Sequence, residues 1–362
     1  MTTPVLSPCE KVHIIWNGKR YLFFGGYDYH RMSRNERLHE TIKQTLEIHG
    51  LNCGGSRVTT GNHPLHIELE KKITKFLRTE DTALLPTGYM ANIALFEVFE
   101  DKQIFVYYHP KTHPSLKVAL KMSGLPGMPI PEDMKAWHSH IKEHGKKPCV
   151  VTDSVYSQLP PLKDYEKIVE KYEGVLVIDE AHALGLLGEY GRGVVEQENI
   201  SKKHLLITGS LSKAIGVAGG FVSGLKNCIA AVRETTSYAT TSAMPLPTVA
   251  AAIASIDYLI ENKHLISLIQ ERSLKVKQDL AVCGYDIPLN ASPGINIYIE
   301  NKNESKRLAD MLENAGIYPS FIRYPEKPDY FRFTLSSAHS EEEIELLVNV
   351  LKEFKYFDRE GE

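Results

Sequence analysis

The sequence predicts an α/β protein with a large, mainly parallel sheet domain and a smaller α+β C-terminal domain, and three observations carry that reading. From Thr82 onward, short apolar runs alternate with segments of helical periodicity, the order expected when strands are joined by covering helices. Four later runs, PCVVTDSVY, GVLVIDEAH, HLLITGS and GGFVSG, are short, β-branched and bounded by turn residues, as in strands buried on both faces. The final stretch then changes to the order strand, helix, strand, strand, helix.

The elements follow in order. VHIIW and RYLFF are β-prone runs separated by Asn17-Gly18, a turn-forming pair that predicts a hairpin. A helix is expected near Glu36 to His49. NCGGSRVTTGNHP has the composition of a loop, and HIELEKKITKFL after it has the apolar spacing of an amphipathic helix. TALLPT, GYMANIALFEVF, QIFVYY and PSLKVALKM then alternate strand and helix. After Met244-Pro245-Leu246-Pro247, one long helical stretch is expected to run to about Cys283. INIYIE, ESKRLADMLENAG, IYPSFI, YFRFTLSS and SEEEIELLVNVLKEF complete the small domain. The 362 residues exceed the roughly 250 to 300 that one core accommodates, and the expected division is 1–45, 46–245 and 246–362.

Composition narrows the function. With 43% hydrophobic and 24% charged residues and a net charge of −3, the chain has the balance of a soluble globular protein and no broad basic footprint for nucleic acid. Five scattered cysteines, Cys9, Cys53, Cys149, Cys228 and Cys283, form no CxxC pair. That argues against a disulfide framework or a zinc site and for a reducing cytoplasm. No apolar stretch reaches the length of a membrane span, and the N-terminus lacks a secretory pattern. Function therefore belongs to a local site.

Lys213 lies in LLITGSLSKAIGVAGG, just after an apolar strand and beside Thr208, Ser210 and Ser212. A desolvated lysine among small residues forms a Schiff base with a flat carbonyl cofactor; alone, it also reads as a snorkelling surface lysine. Asp179 ends the run GVLVID, where a buried carboxylate needs a cationic partner such as a protonated pyridine nitrogen. Read separately, Asp179 and Glu180 also suit a nucleotide enzyme's metal, but no GxxxxGK[ST] loop accompanies them. His182 is placed to bond the cofactor's phenolic oxygen or to orient Asp179. Thr87-Gly88-Tyr89 opens a helix, so the Gly88 and Tyr89 N–H groups suit a phosphate, with Ser210 adding a hydroxyl; Gly88 equally suits a plain turn. His113 begins another helix and offers a ring for stacking or a plain structural role, and Ser157 follows the strand VVTDSVY as a donor or a turn cap.

In chain order, TGY, HPS, VYS, DEAH and SLSK resemble the α-oxoamine synthase family of fold-type I pyridoxal-phosphate enzymes, over most of the chain. The resemblance implies pyridoxal 5′-phosphate as cofactor, Lys213 as the Schiff-base lysine, Asp179 against the pyridine nitrogen and His113 stacked on the ring. His182 and Ser157 then lie near the phenolic oxygen, and Ser210 with Gly88 and Tyr89 holds phosphate. SYATTSAMP resembles the segment that reaches the partner subunit's phosphate, which makes Thr240 and Thr241 candidates in trans and implies a homodimer. YFRFTLSSAH resembles the strand whose arginine, here Arg332, grips the substrate carboxylate. The implied reaction joins an amino acid to an acyl-CoA or carrier thioester, usually with loss of carbon dioxide, and involves no metal.

Two departures bear on substrate. The family's Asn-Asp-Tyr-Leu-Gly-like segment is replaced by Tyr27-Asp28-Tyr29-His30-Arg31, and Ser157 runs into Gln158-Leu159-Pro160-Pro161 instead of Met-Asp-Gly-Asp. Cleavage, transamination or decarboxylation on the same frame, and a non-catalytic cofactor-binding subunit, are the alternative readings.

Overall fold

The computed structural model describes residues 4–99, 103–154, 161–323 and 329–360, with backbone alone for 356–360. It divides into two compact units, 36–261 and the pair of segments 1–35 and 262–362. These units meet at 35/36 and 261/262, where the sequence divides at 45/46 and 245/246.

The unit 36–261 is built on seven strands. Across the sheet they run Asp81–Leu85, Gly220–Gly224, Leu205–Ser210, Val175–Asp179, Lys147–Asp153, Ile104–Tyr108 and Gly127–Pro129. Gly220–Gly224 is antiparallel to both neighbours, and the remaining pairings are parallel. The central strand Val175–Asp179 is buried at every position, which explains its continuous apolar run. Asp153 pairs with Asp179, and Asp179 with Thr208. These residues therefore share the carboxyl edge of the sheet, where open α/β sheets place their ligands.

The helix Gly88–Phe96 follows the first strand directly, with Thr87 as its N-cap, accepting the Met90 N–H at 3.1 Å. Its stretch from Ala91 to Phe96 is wholly buried and apolar except for Asn92. The helices Met134–His144, Leu162–Lys171 and Lys226–Glu234 also cover this unit; the sequence reading did not name them, because their polar faces dilute the apolar pattern.

The long helix expected up to Cys283 is two helices, Leu246–Glu261 and His264–Val282. Glu261-Asn262-Lys263-His264 interrupts the apolar period with four polar residues, and asparagine competes for backbone bonds outside helices. Arg37 on Glu36–His49 pairs with Glu261 at 2.6 Å and fastens the end of the first helix to the large unit.

The other unit contains a six-stranded sheet in the order Ser7–Pro8, His13–Trp16, Lys19–Phe24, Ile317–Ile322, Tyr330–Thr334, Gly294–Tyr298. The expected hairpin is present, and Asn17 and Gly18 both take positive φ, 48° and 76°, as its tight turn requires. Lys19–Phe24 joins Ile317–Ile322 in parallel. Phe24, Leu308, Phe333, Leu347 and Leu351 fill one core from both ends of the chain. Tertiary pairing thus claims the N-terminal segment for this unit, which no local pattern signals.

Candidate active site

Asp179 is 8% exposed at the end of its strand. Its Oδ1 accepts the Ala181 N–H at 2.9 Å, and its Oδ2 accepts Asn92 Nδ2 at 3.0 Å. Two donors fix the carboxylate in one orientation while leaving its charge in need of a cation. The adjacent Glu180 is turned elsewhere and is fully buried. It accepts the Val194 and Val195 N–H groups at 3.1 and 2.8 Å, and burial pushes its carboxyl up to about 7. Glu180 is a fastening for the following loop, and the two neighbouring acids do different work.

Asn92 Nδ2 also donates to Ser115 Oγ at 2.9 Å, and Ser115 Oγ lies 2.7 Å from His113 Nδ1. The Ser115 backbone N–H points at the same Nδ1 at 3.2 Å. A nitrogen facing that N–H is an acceptor, so the neutral ring carries its proton on Nε2 and the serine hydroxyl donates to Nδ1. His113 caps the helix Pro114–Ser123. Its own N–H donates to Asp153 Oδ2 at 2.6 Å. Burial and the facing Asp179 raise the Asp153 carboxyl well above the carboxylate range; the His113 N–H and the charge of Lys213 oppose that rise. Lys213, Asp179, Asp153 and His113 are therefore electrically one neighbourhood.

Lys213 is half-buried in the loop after Leu205–Ser210. That loop is closed by Leu211 N to Gly219 O at 2.9 Å, Val217 N to Leu211 O at 3.0 Å and Gly216 N to Lys213 O at 3.0 Å. Ser210 Oγ lies 2.7 Å from Ser212 Oγ. Gly88 abuts this strand end: a β-carbon on it would stand 3.1 Å from both Gly209 O and Ser210 Cβ. A β-carbon on Gly220 would stand 2.3 Å from Gly88 N. Glycines at both positions let the start of the helix Gly88–Phe96 seat beside Ser210. Its first N–H groups have no acceptor within the helix, and such a helix start favours an anion.

A family model described as Aminotransferase class I and II matches residues 20–351. A putative 8-amino-7-oxononanoate synthase of Acetivibrio thermocellus is 29% identical over 358 residues, 96% of this chain and 92% of that protein. The serine palmitoyltransferase of Sphingobacterium spiritivorum is 26% identical over 359 residues, 95% and 90% of the two chains. The solved structure of a serine palmitoyltransferase from Sphingomonas wittichii shares the fold, with a TM-score of 0.90 at 24% identity, covering 98% of this chain and 92% of that one. The chain belongs to the α-oxoamine synthase family.

The residues of this α-oxoamine synthase fit the family's cofactor, pyridoxal 5′-phosphate. A flat ring with a cationic nitrogen suits the oriented Asp179, and a phosphate suits the glycine-lined helix start at Gly88 and Tyr89 with Ser210. The Thr208 hydroxyl, paired across from Asp179, is buried with no partner among the described residues.

The remaining candidates are placed as follows. His182 is half-buried on the turn that follows Asp179. Thr240 is exposed, with its hydroxyl donating to Thr236 O at 2.8 Å, and Thr241 is half-buried beside it. Ser157 lies outside the described residues. In the synthase's other unit, Arg332 is 7% exposed on Tyr330–Thr334. It donates to Asn296 Oδ1 at 3.1 Å, Tyr27 OH at 2.7 Å and Tyr330 OH at 2.6 Å. Tyr27, the first departure from the family segment, is thus a direct partner of the arginine. The sequence reading missed Asn92, Ser115, Asp153, Asn296 and Tyr330 as contributors; a lone polar residue inside the apolar run ANIALF was the available signal for Asn92.

Proposed function

We propose that this synthase condenses an amino acid with an acyl-CoA or carrier-bound acyl thioester, with decarboxylation, to give an aminoketone. The observation that carries the reading is the oriented, buried Asp179 carboxylate on the strand next to the one that leads into Lys213. Bound pyridoxal phosphate supplies an electron sink for the carbanion at the amino acid's Cα.

The chain's own residues do the rest. Lys213 Nζ would hold the cofactor and would serve as the base for the Cα proton. Asp179 holds its charge against the ring nitrogen, His113 covers a ring face, and His182 and Ser157 serve the phenolic oxygen. Gly88, Tyr89 and Ser210 hold phosphate. Arg332 grips the substrate carboxylate through a planar fork that keeps its charge. In this reading the enzyme is a cytoplasmic homodimer, with Thr240 and Thr241 reaching the partner's phosphate. Five cysteines without a disulfide support the compartment, and no described helix is long and apolar enough to cross a membrane.

The test is an amino-acid screen of the cofactor-loaded protein with acyl-CoA. Thiol release that depends on one amino acid supports the condensation. Keto-acid formation without thiol release replaces it with transamination.

A further inference from the structure

Within the large unit a hydrogen-bonded chain links Asp179 to His113 through Asn92 and Ser115, neither of them charged. Asn92 Nδ2 stands 3.0 Å from Asp179 Oδ2 and 2.9 Å from Ser115 Oγ, and Ser115 Oγ stands 2.7 Å from His113 Nδ1. An ionised carboxylate only accepts, so the amide must turn its NH2 group toward Asp179, and both of that group's protons are then used. Asn92 and Ser115 are 1% and 2% exposed. The opposite face of the amide, Asn92 Oδ1, is buried with no partner among the described residues. An amide kept inside an apolar helix face with its oxygen unsatisfied is not there for packing, since an apolar side chain of that size avoids the penalty.

We propose that Asn92, acting through Ser115, is a positioning residue that sets the orientation of Asp179 and the tautomer of His113 together. The inference rests on the assignment of Asp179 and His113 to the cofactor ring. Fixing the carboxylate keeps its charge on the ring nitrogen. Directing a serine hydroxyl at Nδ1 keeps the imidazole neutral with its proton on Nε2, so the stacked ring does not oppose the cation that Asp179 stabilises. The two faces of the site then respond as one unit to the loss of either link.

The test uses Asn92→Ala, Ser115→Ala and the double variant of the full chain, with three readouts. These are cofactor affinity on reconstitution, visible circular dichroism of the bound cofactor, and the pH midpoint of its absorption change. The parent must first show a visible cofactor band; without one, the cofactor reading itself fails. With that band present, Asn92→Ala should weaken cofactor binding roughly tenfold or more, the loss expected for a hydrogen bond to a charged group. Both single variants should also move the pH midpoint in the same direction. In a relay the double variant is no worse than the weaker single one, whereas independent packing defects add. If Asn92→Ala fails to fold, Ser115→Ala decides alone by its pH midpoint and dichroism. Unchanged spectra and midpoint in Ser115→Ala, or fully additive losses, overturn the relay and leave the cofactor reading standing.

Discussion

Asp153 and Asp179 face each other in register across adjacent parallel strands, each as the last residue of its strand. Two buried carboxyls placed so cannot both ionise at low cost, and burial with the charge of Asp179 raises Asp153. The folded chain therefore keeps a proton at pH values where the unfolded chain has lost it. Stability must then fall as pH rises above the ordinary carboxylate range, by up to about 1.4 kcal/mol per pH unit while the proton is retained. Asp153→Asn keeps an oxygen for the His113 N–H and removes the second acid. Thermal unfolding of the cofactor-free chain between about pH 5 and pH 8 should show a flatter decline in Asp153→Asn than in the parent. Parallel profiles would contradict a proton retained by Asp153.

Gly220 leaves room for the helix that opens at Gly88. A β-carbon there would meet Gly88 N and Thr87 C at 2.3 Å, and both are backbone atoms that cannot step aside. Gly220→Ala is expected to push that helix start away from Ser210, to cost about 1–3 kcal/mol of stability, and to weaken binding of pyridoxal phosphate more than binding of pyridoxal. Calorimetric titration with the two compounds separates a phosphate effect from a general loss.

Arg332 sits among Tyr27, Asn296 and Tyr330, which orient its fork without neutralising it. Arg332→Lys retains the charge but not the planar geometry. Its expected signature is a KM for the amino acid raised about tenfold or more, with the resting absorption spectrum of the cofactor unchanged. Tyr27→Phe should move KM in the same direction by a smaller factor, since it removes one hydrogen bond to the fork and leaves those to Asn296 and Tyr330. An unchanged KM in Arg332→Lys moves the carboxylate anchor elsewhere.

Lys277 is 1% exposed, and its ammonium reaches Asn290 O and Oδ1 at 3.1 and 2.6 Å and Ser292 O and Oγ at 2.6 and 3.1 Å. It ties the helix His264–Val282 to the loop before Gly294–Tyr298. Lys277→Ala strands the two oxygens of the buried Ser292, and a loss of about 2–4 kcal/mol is expected in chemical denaturation. The cofactor spectrum of the folded variant should stay that of the parent, because this lysine lies in the other unit from Lys213.

The residues proposed to face the cofactor can be named from the sequence because their chemistry is local. Lys213 among small residues, Asp179 at the end of an apolar strand and Gly88 at a helix start each announce a task within a few residues. The hairpin at Asn17-Gly18 and the helix Glu36–His49 were legible for the same reason. What supports the site was not. Asn92 meets Asp179 across 87 positions of sequence and Tyr27 meets Arg332 across 305, and such pairings exist only once the sheets have formed. The end of the helix at Glu261 depended on a four-residue polar interruption, which a period-based reading passes over. Ser157, named from its motif, lies outside the described residues.

The proposed function stands on Lys213 as the lysine that carries the cofactor. Borohydride reduction of the cofactor-loaded protein, followed by peptide mass mapping, tests it most directly. A reduced pyridoxyl phosphate adduct is expected on the peptide containing Lys213, and none in Lys213→Ala. An adduct on a different lysine in the parent, or a reducible adduct that survives Lys213→Ala, would contradict it.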